Sequence, residues 1–276
     1  MWFHKVVIIH LTFSSDFIYV KLIIYLLMVN TFILIPYRNR DKHLTYFLNH
    51  TVLLLQKHIP RLKVIVIEQT QGALFNRGKL LNVGFDFCRT MNEDVVLDTD
   101  VFFTHDVDIN PYESTIVSLY TMEMLDNHIN GIYTSSCNTL GGIIQFNANT
   151  FQRINGFPNS IWGWGAEDKA LQNRAEFYEI KVKKNILNNN PNRETYFHIF
   201  DDIQDRNVEN HNKFNHNKQY IQFRLMRDKE KRETIQNDGL STLNYTVLKK
   251  ETIIHNVLKI TVEIGKPSSS SSSSSS

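Results

Sequence analysis

Two acidic clusters are the residues of this chain best suited to chemistry. Glu167 and Asp168 close the stretch INGFPNSIWGWGAED, in which Trp162 and Trp164 alternate with Gly163 and Gly165. Glycine lets the backbone approach a ligand closely and adopt positive φ, aromatic faces suit sugar rings, and an adjacent carboxylate can orient or deprotonate a hydroxyl. A tryptophan-rich surface turn is the plainer reading of the same composition. Upstream, Asp106 and Asp108 flank Val107 directly after the apolar run Val101-Phe102-Phe103. Carboxylates at the carboxyl end of a buried strand sit where open α/β sheets bind ligands, and such a pair can hold a hard divalent ion. A second D-x-D, Asp98-Thr99-Asp100, precedes the apolar run and would point into or along the strand.

The elements that must position these residues alternate along the chain. Phe32 to Ile35 reads as a buried strand. Asp41 to Lys57 reads as an amphipathic helix with Leu44, Phe47, Leu48, Val52 and Leu55 on one face. Val64 to Ile67 is another apolar run, and Arg77 to Cys88 has helical character. A strand over Gly141 to Phe146, a helix over Glu167 to Phe177 and an alternating strand over Tyr178 to Lys183 follow. Leu243 to Leu248 and Val257 to Ile264 pattern as a closing strand pair.

Composition fits one globular domain between Thr31 and Ser268. The chain has 276 residues and a formal net charge of +2, too small to argue for a nucleic-acid partner. The charged stretch Met226 to Glu233 is mixed in sign and reads as a solvated helix face. Residues 1–30 are apolar but interrupted by Ser14, Ser15, Asp16 and Lys21, so they make a marginal membrane anchor, a leader, or an extra hydrophobic element. The terminal serine run lacks anything to bury and reads as a disordered tail. Cys88 and Cys137 are expected to be packed thiols, although two cysteines could pair. Asn49-His50-Thr51 and Asn244-Tyr245-Thr246 are glycosylation triplets if the chain is secretory.

Together these strings resemble the β-1,4-galactosyltransferases. The shared segments occur in the family's order: ILIPYRNR, FNRGKLLNVGF, HDVDINP, LGG, INGFPNSIWGWGAED, the histidine segment at His198, and DGLSTLNYTVL with KITVEIGKPS. The resemblance spans roughly Thr31 to Ser268. It implies the α/β fold called GT-A, with a mixed central sheet forming a single catalytic domain over residues 31–268. It also implies a Golgi or secretory-membrane location.

By family position, Asp168 is the catalytic base, and Glu167, Trp164 and Gly142 serve the acceptor sugar. Pro36, Arg38, Arg40, Phe75, Arg77, Asp106, Val107 and Thr139 border the UDP-sugar donor. Asp108 and His198 are the implied ligands of a divalent ion, Mn2+ by the family's habit and by the mix of carboxylate and imidazole. Thr195 and Phe200 stand where the family has its further metal ligand, so Asp201 or water would have to substitute and weaker metal affinity is expected. Thr139 replaces a bulky aromatic residue, which predicts acceptance of UDP-GalNAc beside or instead of UDP-Gal. The implied acceptor is GlcNAc-terminated by default, with xylose or glucose as further candidates. The competing readings are a degenerate carbohydrate- or UDP-sugar-binding protein and, more remotely, a metal-dependent phosphohydrolase.

Overall fold

The computed structural model describes residues 29–90, 97–163, 165–200 and 221–267. The expectations for the N-terminal apolar segment, Trp164, Asp201 and the serine tail lie outside them.

The central sheet is built on strands that are apolar without interruption. In β1 (Thr31–Tyr37) every residue is buried. Phe32 and Leu34 enter one hydrophobic cluster, while Ile33, Ile35 and Tyr37 enter another on the opposite face. β2 (Leu62–Gln69) pairs with β1 in parallel, Ile33 opposite Val64, and splits its side chains in the same way. Burial on both faces is why these strands read as continuous apolar runs and not as alternating ones.

Helices cover the two faces. One continuous helix, α1, runs through Asp41–Tyr46, a π-helical stretch Phe47–Val52 and Leu53–His58, and packs Leu44, Phe47, Val52 and Leu55 into the second cluster. The opposite face receives α2 (Arg77–Thr90), which buries Leu80, Leu81, Val83, Phe85 and Phe87.

The remaining strands are β3 (Val101–His105), β4 (Ile109–Pro111), β5 (His128–Thr134), β6 (Ile143–Asn147), β7 (Lys181–Leu187), β8 (Phe197–Ile199), β9 (Thr246–Ile254) and β10 (Val257–Glu263). Eight of the ten described strands form one mixed sheet in the order β7-β5-β6-β3-β1-β2-β10-β9, while β4 and β8 make a separate antiparallel ribbon. β1 leads to β2 on one side, and the chain then crosses back to lay β3 parallel on the other. The carboxyl ends of β1 and β3 therefore flank a topological switch point, where α/β sheets open a ligand crevice. Short helices α3 (Ala148–Arg153), α4 (Glu167–Phe177) and α5 (Asp228–Gln236) complete the frame.

The expected elements form with shifted bounds: the strand expected over Gly141 to Phe146 runs Ile143–Asn147, and the one expected over Leu243 to Leu248 runs Thr246–Ile254. The strand expected at Tyr178 begins at Lys181, because Glu179 turns the chain with a φ of 55° and delays pairing. β5 escaped the sequence reading because its polar His128, Asn130 and Gly131 interrupt both strand periodicities. Asn130 is nonetheless buried, its amide donating to Gln145 Oε1 at 3.0 Å.

Candidate active site at the strand ends

Beyond β3 the chain turns through Asp106, Val107 and Asp108 before entering β4. His105 anchors this turn from the core, fully buried, with Nδ1 2.9 Å from the Asp106 carbonyl and Nε2 2.9 Å from the Tyr120 hydroxyl. Burial pushes its pKa down to about 4. The neutral ring then has one donor and one acceptor, which matches Nδ1–H donating to the carbonyl and Nε2 accepting from Tyr120. Val107 is buried, and both carboxylates remain partly exposed. The upstream D-x-D does other work. Asp100 is fully buried and accepts hydrogen bonds from the Asn30 backbone at 2.8 Å, the Asn30 amide at 3.0 Å and the Leu97 backbone at 2.9 Å, so it fastens the base of the sheet.

Arg77 links the two acidic clusters. It opens α2 directly after Asn76, whose Oδ1 accepts from the Lys79 backbone at 2.9 Å and so caps the helix. Its Nε and Nη2 lie 2.8 and 2.7 Å from the same Asp106 oxygen, and Nη1 is 3.7 Å from Glu167 Oε1. The side chains of Arg77 and Glu167 are only 13% and 12% exposed. Burial raises the Glu167 carboxyl to about 7, with Arg77 pulling it down and the Asp168 charge pushing it up. Glu167 Oε2 is buried and makes no hydrogen bond among the described residues.

Asp168 sits in the first turn of α4, where a carboxylate is favoured by the helix dipole. Its Oδ1 accepts from the Lys169 backbone at 2.7 Å. Its backbone carbonyl accepts from Leu140 N at 3.0 Å, and a Cβ added to Gly141 would stand 3.1 Å from Asp168 Oδ2. Gly141 is thus the bare floor under this carboxylate. Gly142, the residue singled out from the sequence, instead lies at φ 80°, where an added Cβ would stand 2.6 Å from the Tyr133 carbonyl oxygen. Thr139, 4% exposed, has its hydroxyl 2.8 Å from that of Ser135 and 3.1 Å from the Ser136 amide.

The tryptophan-glycine segment is tied down at Trp162 and Gly163. Gly163 N donates to Phe75 O at 2.7 Å, and Trp162 is buried in the core. Phe75 in turn carries the Arg38 guanidinium 5.1 Å above its ring, while Arg38 Nη1 donates to Ala73 O at 2.7 Å. Pro36 lies in the last turn of β1, paired with Ile67, and Arg40 precedes α1, whose Leu44 amide bonds to the Arg40 carbonyl at 2.9 Å. Arg38, Phe75, Arg77 and the Asp106 turn therefore follow β1, β2 and β3 at one end of the sheet.

Asp108 and His198 come together through the β4–β8 ribbon. His198 pairs with Asn110, and Phe200 N donates to Asp108 O at 2.8 Å, so the two residues lie at the same end of one short ribbon. His198 is exposed and Asp108 partly so. Among the described residues no group of three His, Cys, Asp or Glu side chains is arranged to hold a metal. Phe200 is packed, its ring 4.7 Å from that of His43, so it takes an aromatic role. No sequence signal pointed to Tyr46, whose ring lies 5.3 Å from His198 and stacks on His50 at 4.1 Å. Gly141 could have been found, since a second glycine beside Gly142 marks a close backbone approach.

Comparison with known proteins bears on the family and the fold. Residues 27–121 match the N-terminal region of glycosyl transferase group 7, and residues 127–200 match the N-terminal domain of galactosyltransferase. The chain is 32% identical over 241 residues to β-1,4-galactosyltransferase 4 of Cricetulus griseus, covering 84% of this chain and 62% of that protein. It is 36% identical over 158 residues to the human β-1,4-galactosyltransferase 4, covering 55% and 44%, and 33% identical over 249 residues to bovine β-1,4-galactosyltransferase 1, covering 86% and 54%. The chain thus spans about half the length of these relatives. A crystal structure of a Drosophila β-1,4-galactosyltransferase 7 mutant in complex with manganese, UDP-Gal and xylobiose superposes with a TM-score of 0.69 at 22% identity, covering 86% of this chain and 95% of that one. The catalytic domain of the same enzyme with xylobiose superposes at 0.67, with the same coverage. By these matches and its GT-A fold, the chain belongs to the β-1,4-galactosyltransferase family.

Proposed function

We propose that this chain is an inverting glycosyltransferase that moves galactose, or N-acetylgalactosamine, from a UDP-sugar to a hydroxyl of an acceptor sugar in a β-1,4-type linkage. The observation that carries this reading is the meeting of both acidic clusters at the switch point, where Arg77 spans Asp106 and Glu167 and Asp168 rests on Gly141. Asp168 takes the proton of the attacking hydroxyl as that oxygen bonds to the anomeric carbon. The bond to the pyrophosphate oxygen breaks, and UDP departs with the electron pair. Attack opposite an α-linked leaving group gives a β-linked product.

Glu167, its carboxyl raised by burial and by the Asp168 charge against the pull of Arg77, is placed to hydrogen-bond the acceptor sugar. Arg38, Arg40 and Arg77 are suited to phosphate oxygens and Phe75 to the uracil, with Pro36, Asp106, Val107 and Thr139 bordering the donor. Trp164 would cover the donor and Gly142 border the acceptor. The carboxylate of Asp108 and the imidazole of His198, carried at the same end of one ribbon, are ligand types that suit Mn2+. Bound there, the ion would neutralise charge on the departing pyrophosphate.

The acceptor is read as a GlcNAc-terminated glycan, with xylose and glucose to be tested. The small, buried Thr139 supports use of UDP-GalNAc. Thr139→Tyr is expected to cut GalNAc transfer more than Gal transfer, by tenfold or more, about 1.4 kcal/mol. A donor panel in which wild type ignores UDP-GalNAc would refute this. Residence in a Golgi or secretory membrane rests on the family alone, since no helix among the described residues is long and apolar enough to cross a bilayer.

The deciding experiment incubates the protein with Mn2+, UDP-Gal or UDP-GalNAc, and β-linked GlcNAc, xylose and glucose acceptors, beside Asp168→Asn. Acceptor-dependent UDP release is expected, falling about 10²- to 10⁴-fold in the variant, the range for losing a general base. UDP-sugar binding without turnover would favour the second reading, a degenerate sugar-binding protein, which draws on the two candidate metal ligands seen among the described residues.

A further inference from the structure

Lys184 lies outside every motif described above, yet its ammonium is directed at the site. It is on β7, paired in register with Gly131 of β5. A Cβ on Gly131 would lie 3.4 Å from Lys184 Cγ, so the missing side chain leaves room for the lysine stem to cross the neighbouring strand. The stem delivers Nζ to two backbone carbonyls of the loop after β5. It donates to the Ser136 carbonyl at 3.3 Å and to the Thr139 carbonyl. The next residue, Leu140, donates its amide to the Asp168 carbonyl at 3.0 Å, and the one after that, Gly141, is the floor under the Asp168 carboxylate.

The electrostatics agree with the geometry. Burial lowers the ammonium below its ordinary value, while Cys137, Asp168 and Glu176 pull it back up. A half-buried cation that donates to two carbonyls makes charge-assisted hydrogen bonds, about twice as strong as neutral ones. Such bonds on one loop are a means of fixing backbone that carries no regular structure of its own.

We propose that Lys184 is a positioning residue of the transfer site, clamping the Ser136 and Thr139 carbonyls so that the strip 139–141 holds Asp168 and Thr139 in place. This rests on the transferase reading for its kinetic consequence but not for the clamp itself.

The test compares Lys184→Met, Lys184→Arg and, as a control on the exposed side of the same strand, Lys183→Met. Amide exchange at Leu140 reads the clamp without substrate, and kcat and donor KM read its use. Lys184→Met is expected to speed Leu140 exchange at least tenfold and to lower kcat about tenfold with donor KM changed less than threefold. Lys184→Arg should recover part of both, and Lys183→Met should alter neither. Unchanged exchange in Lys184→Met would overturn the clamp. Faster exchange with wild-type kcat would overturn its role in transfer. If wild type transfers no sugar to any acceptor, the transferase reading and that role both fail, while the exchange comparison still decides whether Lys184 fixes the strip.

Discussion

Ala166 stands at φ 77°, the left-handed region, immediately before the two carboxylates that begin α4. An L-residue pays about 1–2 kcal/mol for that conformation, which glycine adopts freely. Ala166→Gly is therefore expected to stabilise the protein by about 1 kcal/mol, after allowing for the extra freedom glycine gains when unfolded. A urea titration checks this. A lower midpoint would mean that packing of the buried methyl outweighs the strain. At this scale the sequence singled out Asp106, Asp108, Glu167 and Asp168, because they lie in short runs of unusual composition. It was a poor guide to Lys184 and Tyr46, which look like ordinary surface residues until a neighbouring strand or ribbon is placed beside them.

Between elements, the closing DGLS turn acts as a clamp on the tryptophan-glycine segment. The buried Arg174 of α4 donates to the Asn155 carbonyl at 2.9 Å, the Gly156 carbonyl at 2.8 Å and the Asp238 carbonyl. Asp238 accepts from the Asn159 backbone at 2.6 Å and the Ser160 hydroxyl at 2.7 Å. A Cβ on Gly239, at φ 155°, would lie 2.1 Å from the Asn155 carbonyl oxygen. Gly239→Ala should therefore cost about 3 kcal/mol or more, because the obstacle is backbone and cannot swing aside. A denaturant midpoint within error of wild type would contradict this. The β4–β8 ribbon yields a different expectation. Even outer-shell partners of a metal are worth about 10- to 100-fold in affinity, so His198→Ala should raise the Mn2+ needed for half-maximal turnover at least tenfold. Since His198 is exposed and outside the core, thermal stability should hardly change. A large loss of stability, or an unaltered metal requirement, would remove His198 from the ligand set.

Acid stability is a property of the whole molecule to which two buried groups contribute with opposite sign. His105 titrates near 4 when folded and near 6.5 when unfolded. Above pH 6.5 neither state binds the proton. Below it the unfolded chain takes up a proton the fold refuses, so stability falls until about pH 4, by about 3 kcal/mol. Glu167, raised from 4.5 to about 7, acts the other way, and its contribution weakens the fold as pH rises through that window. The difference between wild type and His105→Gln isolates the histidine. That difference should shrink as pH falls from 6.5 to 4, and a constant difference would show that His105 takes up its proton alike in the folded and unfolded chain.

The sequence by itself determined the apolar strands and the longer helices, the two acidic clusters and the family, because apolar period and motif spacing are local properties carried by neighbouring residues, but not β4, β5, β8 or the helix at Ala148–Arg153. Doubly buried strands announce themselves by uninterrupted apolar runs, and a helix such as 167–177 by its acidic first turn. Only the tertiary structure decided which D-x-D turns beyond the carboxyl end of β3 and which fastens the sheet. It also decided that Gly141 underlies Asp168, that Arg77 joins carboxylates far apart in the chain, and that His198 meets Asp108 through a ribbon. Each of these depends on which strand ends become neighbours. Strand order is fixed by crossover direction and by burial on both faces, and so belongs to the packed molecule and to no single stretch of residues.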